Sequence, residues 1–408
     1  MRVELTISRL GAQGDGMAET GEGPVYVPFT LPGERIIADV EKGRGTLFDL
    51  PFRSPQRAEP ICRHFGVCGG CALQHFEWNA YLEWKRQRVV DALRIEGIDA
   101  LVDPVRAFGP HTRRRAAFAA IRSANGLAFG YRRAQSHDIV DLRECPLLLP
   151  RFEAALPALR SLVDTLLRPG EARITVTDCD NGLDVGIEAV GGNLRPFTST
   201  RGMAAEAAGI IRLTSHGDPL FSIAAPRVSL AGVPVEPPPG AFLQASSEAE
   251  TAMTDIAMEA LGKARKVADL FCGLGTFSFA MARRASVTAV ENNRTLLLAL
   301  DAASRRAQGL KPIKTLARDL MREPLSPTEL NVFDVVLFDP PRAGALAQAN
   351  ALAKSRVPKV IAVSCNPASF AKDARALIDG GYTLQRVVPI DQFVFSAHVE
   401  LAAIFARR

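Results

Sequence analysis

The run VIAVSCNPASF, Val360 to Phe370, ends an apolar segment on Cys365 and follows it at once with Asn366 and Pro367. A cysteine in that setting is either a small buried residue closing a strand or a nucleophile held at a sheet edge. The thiolate is the reactive form, and a free thiol of pKa about 8.5 is only about 3% ionised at neutral pH. A nucleophilic Cys365 therefore needs a lowered pKa. The following stretch, Ala368 to Gly381, reads as a helix with Pro367 at its first turn, and its dipole would favour the anion. A second group of thiols lies elsewhere. CRHFGVCGGC places Cys62, Cys68 and Cys71 within ten residues among glycines, and Cys145 stands in RECP. Four such cysteines fit either a zinc ion or a four-iron cluster. Zinc ligands usually come as two close pairs, so three close cysteines and one remote, proline-followed cysteine favour the iron–sulfur centre over zinc or plain buried thiols.

Acidic residues recur where apolar runs end. KVADLFCGLGTFSFAMA passes from a strand through the turn Gly273-Leu274-Gly275-Thr276 into a helix, an arrangement that brings a ligand to a helix N-terminus. SVTAVE ends on Glu291, a carboxylate suited to the two hydroxyls of a ribose. LARD ends a third strand at Asp319, and FDVVLFDPPRAG breaks into Asp339-Pro340-Pro341-Arg342. All fall at predicted carboxyl ends of strands, where ligands bind in open α/β sheets.

These groups need a frame. From residue 241 to 408, strands and helices alternate as in a doubly wound parallel sheet, which gives an α/β, Rossmann-like domain. Residues 1–55 alternate apolar and polar in short runs broken by Gly and Pro and read as a small β-barrel, a type that often binds RNA. Residues 56–240 read as a β-rich central domain carrying the cysteine group. It includes an amphipathic helix over 77–97 and hairpin signals at Asn125-Gly126 and Asn181-Gly182. AGVPVEPPPG, residues 231–240, is read as a linker. The arginines of TRRRAAF, Arg113 to Arg115, are either a solvated edge or an RNA phosphate contact.

Bulk properties narrow the class. The 408 residues are 47% hydrophobic and 23% charged, with net charge +5, a bias compatible with nucleic acid but too small to prove it. No apolar run approaches the ~18 residues of a membrane helix and the N-terminus lacks a secretory apolar centre, so a cytoplasmic location without membrane association is expected. Seven cysteines, an odd number, argue against a disulfide framework.

The motifs DLFCGLGTFS, DPPR, SCNP and DQFVFSAHVE, with the cysteine group and the β-barrel start, resemble the RNA uracil-C5 methyltransferases over nearly the whole chain. The resemblance implies S-adenosyl-L-methionine as methyl donor, a TRAM-type RNA-binding barrel and a 4Fe-4S cluster on Cys62, Cys68, Cys71 and Cys145. It further implies Cys365 as the nucleophile adding to uracil C6 and Glu400 as the base removing the C5 proton. Donor contacts are implied at Gln244, Phe271, Gly273, Gly275, Thr276, Glu291, Asp319 and Asp339, with Arg342 steadying the uracil or Asp339. The expected substrate is ribosomal RNA, 23S first, with the transfer-RNA uridine-54 reaction as the alternative and a monomer as the acting form. Ser246, Thr276 and the segment Val394-Phe395-Ser396 depart from the family's usual asparagines and Pro-His-Thr, which bears on substrate identity more than on reaction type. Three other readings fit less well. An amino-group methyltransferase has no use for Cys365, a cytosine-C5 enzyme sets its thiol in another motif, and a non-catalytic iron–sulfur RNA-binding protein leaves Cys365 and Glu400 without a task.

Overall fold

A computed structural model describes residues 1–134, 136–190 and 194–407. The first 52 residues form a six-stranded sheet in which Arg2–Thr6 pairs with Arg35–Glu41 at one edge, while Arg9–Leu10 pairs with Gly16–Thr20 at the other. One continuous segment thus supplies both edges, and the sheet rolls up around Ile7, Val27, Ile36 and Ala38. Closure removes the open edges that would otherwise invite aggregation.

The second sheet has seven strands between Arg115 and Ser222, antiparallel except where Gly182–Val190 runs parallel to Ile210–Ser215. Both expected hairpins form, one residue out of the expected phase. Ser123 pairs with Gly126 and Cys179 with Gly182, so each glycine is the first paired residue, at φ 110° and 145°, and not the second turn residue.

The third sheet has eight strands. Ile313–Ala317, Ser286–Glu291, Lys266–Leu270, Val335–Phe338 and Lys359–Ser364 are parallel in that order. Glu400–Arg407 then runs antiparallel, followed by Tyr382–Asp391. The strand order reverses beside Lys266–Leu270, and such a switch point leaves a crevice at the carboxyl ends. Helices Ser247–Leu261, Thr276–Ala282 and Arg294–Arg306 contribute to the core on one face, and Leu346–Ala353 and Pro367–Asp379 to that on the other.

Two segments pack otherwise than their position in the chain implies. The expected linker at 231–240 begins inside a hairpin: Val228–Leu230 and Val233–Val235 pair across Ala231-Gly232. Val228, Leu230, Val233 and Val235 are buried in the core of the third sheet. Pro234 is tolerated because it points outward on a two-stranded ribbon, where a missing N–H costs little. Likewise the helix Trp78–Ile95 and the two-residue strand Arg106–Ala107 join the third sheet, although both precede the second in sequence. The block 56–240 therefore does not pack as one body. Helix Trp78–Ile95 is capped by Glu77, whose side chain accepts from Asn79 N at 3.0 Å and Ala80 N at 2.9 Å. Its buried stripe is Tyr81, Lys85, Val89 and Leu93, one residue every four. Among the described residues no helix is long and apolar enough to cross a membrane.

Candidate active site

A cavity of about 440 Å³ opens at the switch point, lined by Gln244, Phe271, Gly273, Glu291, Asp319, Asp339, Arg342, Cys365 and Glu400. They come from the ends of five strands, from Asp319 just beyond a sixth, and from the segment carrying Gln244. Gly275 and Thr276, expected to touch the donor, do not line it. Gly275 is the N-cap at φ 95°, and an added Cβ would stand 2.8 Å from Leu300 Cδ1, so its task is to let the turn enter the helix. The turn is pinned to the next strand by Glu291: Oε2 accepts from Gly273 N at 3.2 Å, and Oε1 from Asn292 N and Asn293 N at 2.9 and 3.0 Å. Asp319 lies two residues beyond its strand, held by Met321 N at 3.0 Å. Phe242, Asn292, Leu296 and Phe393 also line the cavity and were not singled out from the sequence, because an apolar residue or a lone asparagine beside a motif carries no signal of its own.

Cys365 follows strand Lys359–Ser364 and is half-buried. Asn366 caps the next helix, accepting from Ala368 N at 3.2 Å, and its Nδ2 donates to Arg342 O at 3.1 Å. Ser369 Oγ donates to the same carbonyl at 3.1 Å, so the Asp339–Arg342 loop is stitched to the turn that carries the thiol. The thiol itself departs from expectation. Burial, then the charges of Glu400 and Asp339, push it up to about 11, against a smaller pull from Arg342. Burial leads and the two carboxyls facing the sulfur add to it, which is opposite in sign to the lowering expected from the helix that follows.

Those carboxyls are also perturbed. Burial drives Asp339 up to about 7, although Gln244 Nε2 donates to its Oδ2 at 3.2 Å. Burial and then Asp339 drive Glu400 up to about 8, opposed by a 2.6 Å hydrogen bond from Gln392 Nε2. Burial is the leading cause for both carboxyls, and for Glu400 the neighbouring Asp339 adds to it, so both keep their protons to higher pH than free carboxyls do.

Cys62, Cys68, Cys71 and Cys145 line a separate cavity of about 180 Å³ with Phe65, Tyr131 and Leu147. Burial raises all four thiols, Cys71 to about 12 and Cys145 to about 11, and neighbouring sulfurs add to the shifts of Cys68, Cys71 and Cys145. Among the described residues no three His, Cys, Asp or Glu side chains are arranged as ligands of a single metal ion. Four thiols ringing a space and opposing one another's ionisation form a donor set that a multi-metal cation would satisfy. The loop bearing them is tied to the active site, since Ala72 N and Leu73 N donate to Phe395 O at 2.9 and 3.0 Å.

The arginine run divides. Arg114 is buried, pairing with Glu250 at 2.5 Å and donating to Gln244 O at 3.0 Å, so it is neither solvated edge nor RNA contact. Arg113 and Arg115 join Arg173, Phe242 and Phe393 around a groove of about 290 Å³ that adjoins the cavity holding Cys365. Burial, then the charges of Arg173 and Arg113, pushes the Arg115 guanidinium down, a repulsion that an anion in the groove would relieve.

Comparison with known proteins agrees with this geometry. Residues 313–408 match the family model described as tRNA (Uracil-5-)-methyltransferase. An uncharacterized RNA methyltransferase of Brucella suis is 47% identical, covering 99% of this chain and 98% of that protein. The 23S rRNA (uracil(1939)-C(5))-methyltransferase RlmD of Vibrio vulnificus is 31% identical over 99% and 96% of the two chains. The crystal structure of Pyrococcus abyssi tRNA (uracil-54, C5)-methyltransferase with S-adenosyl-L-homocysteine superposes with a TM-score of 0.76 at 24% identity, covering 99% of each chain.

Proposed function

The chain belongs to the S-adenosylmethionine-dependent RNA uracil-C5 methyltransferases, and on that footing we propose that it methylates C5 of a uridine in structured RNA, 23S ribosomal RNA first, through a covalent bond from Cys365 to C6. The observation that carries the reading is one cavity holding Cys365, Glu400 and the carboxylates Glu291 and Asp339 at the switch point. Ribosomal RNA is favoured by the full-length likeness to the Vibrio enzyme.

Uracil C5 is too weak a nucleophile to take a methyl group unaided. Cys365 Sγ forms a bond to C6, and the C5=C6 electron pair moves to leave an enolate. When bound, S-adenosyl-L-methionine would supply an electrophilic methyl, to which the enolate pair at C5 forms the new C–C bond while the S–CH3 pair stays on the thioether that departs. Glu400 then takes the C5 proton, the freed pair rebuilds C5=C6, and the C6–S bond breaks to return the thiolate. Glu291 suits the donor's ribose hydroxyls, and Asp319 its adenine end. A cationic sulfonium bound in this cavity would favour the anionic form of Cys365, whose thiol burial holds up.

Cys62, Cys68, Cys71 and Cys145 would hold the 4Fe-4S cluster, which supplies a cationic centre that fixes the loop in place. The barrel of residues 1–55 is the TRAM-like RNA-binding module. On it Arg2 lies 3.6 Å over the exposed ring of Phe48, and Arg35 stands 5.6 Å from that of Phe52, a surface on which unpaired bases stack. The groove of Arg113, Arg115 and Arg173 takes the phosphates beside an extruded uridine. Replacing Arg115 or Arg173 by alanine is expected to weaken binding of a 23S rRNA transcript and to lower the slope of log K against log salt by about 1 for each. A filter-binding series from 50 to 300 mM salt measures it.

The function itself is tested by trapping. 5-Fluorouridine blocks the proton loss at C5, so fluorinated 23S rRNA transcripts with S-adenosyl-L-methionine should give an adduct stable to denaturing gels. Adducts on transfer RNA alone would replace the ribosomal reading, and adducts on 5-fluorocytidine or none at all would overturn the reaction.

A further inference from the structure

Gln392 was not singled out from the sequence, yet it is buried at the centre of the catalytic hydrogen-bond network. Its Oε1 accepts from Ala245 N at 2.9 Å. Its Nε2 donates to Gln244 Oε1 at 2.9 Å and to Glu400 Oε2 at 2.6 Å. A backbone N–H is only a donor, so it fixes which end of the Gln392 amide is oxygen. The NH₂ end must then face Gln244 and Glu400, and both its hydrogens are used. Gln244, with its oxygen committed to Gln392, turns its own NH₂ to Asp339. A single polarity runs from Ala245 N–H through two amides to both buried carboxyls.

We propose that Gln392 is a positioning residue, giving Glu400 an N–H that supports its carboxylate without being able to protonate it, and locking the Gln244 amide toward Asp339. The inference rests on Glu400 as the base that resolves the adduct. The charged groups facing Glu400 are Asp339, from the end of strand Val335–Phe338, and Cys365, with Arg342 beside the latter. Among the described residues the hydrogen bond that reaches the Glu400 carboxyl comes from Gln392, so the task falls to it.

The sign of the effect follows. Removing a hydrogen bond to the ionised form raises proton affinity, so without Gln392 the carboxyl is protonated over more of the neutral range and proton removal slows. Q392M keeps the side-chain length and removes both N–H groups. The probe is total RNA from a strain lacking this gene, with tritiated S-adenosyl-L-methionine. At pH 7 Q392M is expected to accumulate the methylated RNA–protein adduct at least tenfold over wild type, and raising the pH to 9 should resolve it. Binding of S-adenosyl-L-homocysteine should fall severalfold as Gln244 is freed. Wild-type adduct levels and an unshifted pH profile would overturn the proposal. E400Q separates the two ideas, because it should hold the adduct at every pH. If E400Q holds none, the base assignment fails; if E400Q holds it and Q392M does not, only the role of Gln392 fails. Should Q392M not fold, Q392N, which draws the same amide back by one methylene, is read in the same way.

Discussion

Replacing Cys365 by alanine is expected to lower methyl transfer by about 10⁴-fold or more while leaving S-adenosyl-L-homocysteine binding within a few-fold of wild type. Removing a nucleophile deletes a covalent route outright, and the remaining binding groups recover only a small part of the rate. Serine should be as inactive, since a hydroxyl of similar size cannot supply the anion that the ring must accept. The donor side of the cavity is built from Glu291, Asp319 and the Gly273 turn, none of which uses Cys365 for support. Single-turnover transfer of tritiated methyl to RNA, with calorimetric titration of the product, measures both quantities. Transfer by C365S within tenfold of wild type would remove the covalent step from the mechanism.

Strand ends were legible in the sequence because each couples a local apolar run to a polar break. Glu291, Asp339 and Cys365 all follow that pattern and all reach one cavity. Glu400 came from resemblance to a family, since a glutamate opening a strand carries no local signal. What stayed hidden is pairing across long separations. Gln392 meets Ala245 across 147 residues, and Arg114 meets Glu250 across 136. The same limit covers Trp78–Ile95, whose amphipathic face predicts a partner without naming the third sheet as that partner. The hairpin at 228–235 was missed for a different reason: Pro234 and the Pro237–Pro239 run just after it suppress strand propensity, and the four buried side chains that override them gain their worth only against a distant core. The raised thiol pKa was not legible because the helix dipole is local to Cys365, whereas the burial that leads the shift and the Glu400 and Asp339 carboxyls that add to it come from elsewhere in the fold.

The buried stripe of that helix makes a stability prediction possible. Lys85 and Asp391 are both fully buried and form an ion pair. Tyr81 Oη donates to the second oxygen of Asp391 at 2.8 Å, and Lys85 Nζ also donates to Phe393 O at 3.1 Å. Phe395 N donates to Tyr81 Oη at 2.8 Å, although Phe395 has φ 57°, a strained value for a residue with a Cβ. The helix thus moors the segment from Gln392 to Phe395, which carries a cavity-lining ring and a donor to Glu400. Burial pushes the Lys85 ammonium down to about 8 despite the pull of Asp391. The two charges tolerate the interior only together. K85M leaves the Asp391 carboxylate buried beside an apolar side chain and should cost about 3–5 kcal/mol of unfolding free energy. K85M/D391N removes the stranded charge while keeping a group that Tyr81 can meet, and should recover most of the loss. Urea unfolding of the three proteins measures both differences. If K85M cost under about 1 kcal/mol, water would reach the carboxylate, and the mooring would have to come instead from the two hydrogen bonds that Ala72 and Leu73 give to Phe395.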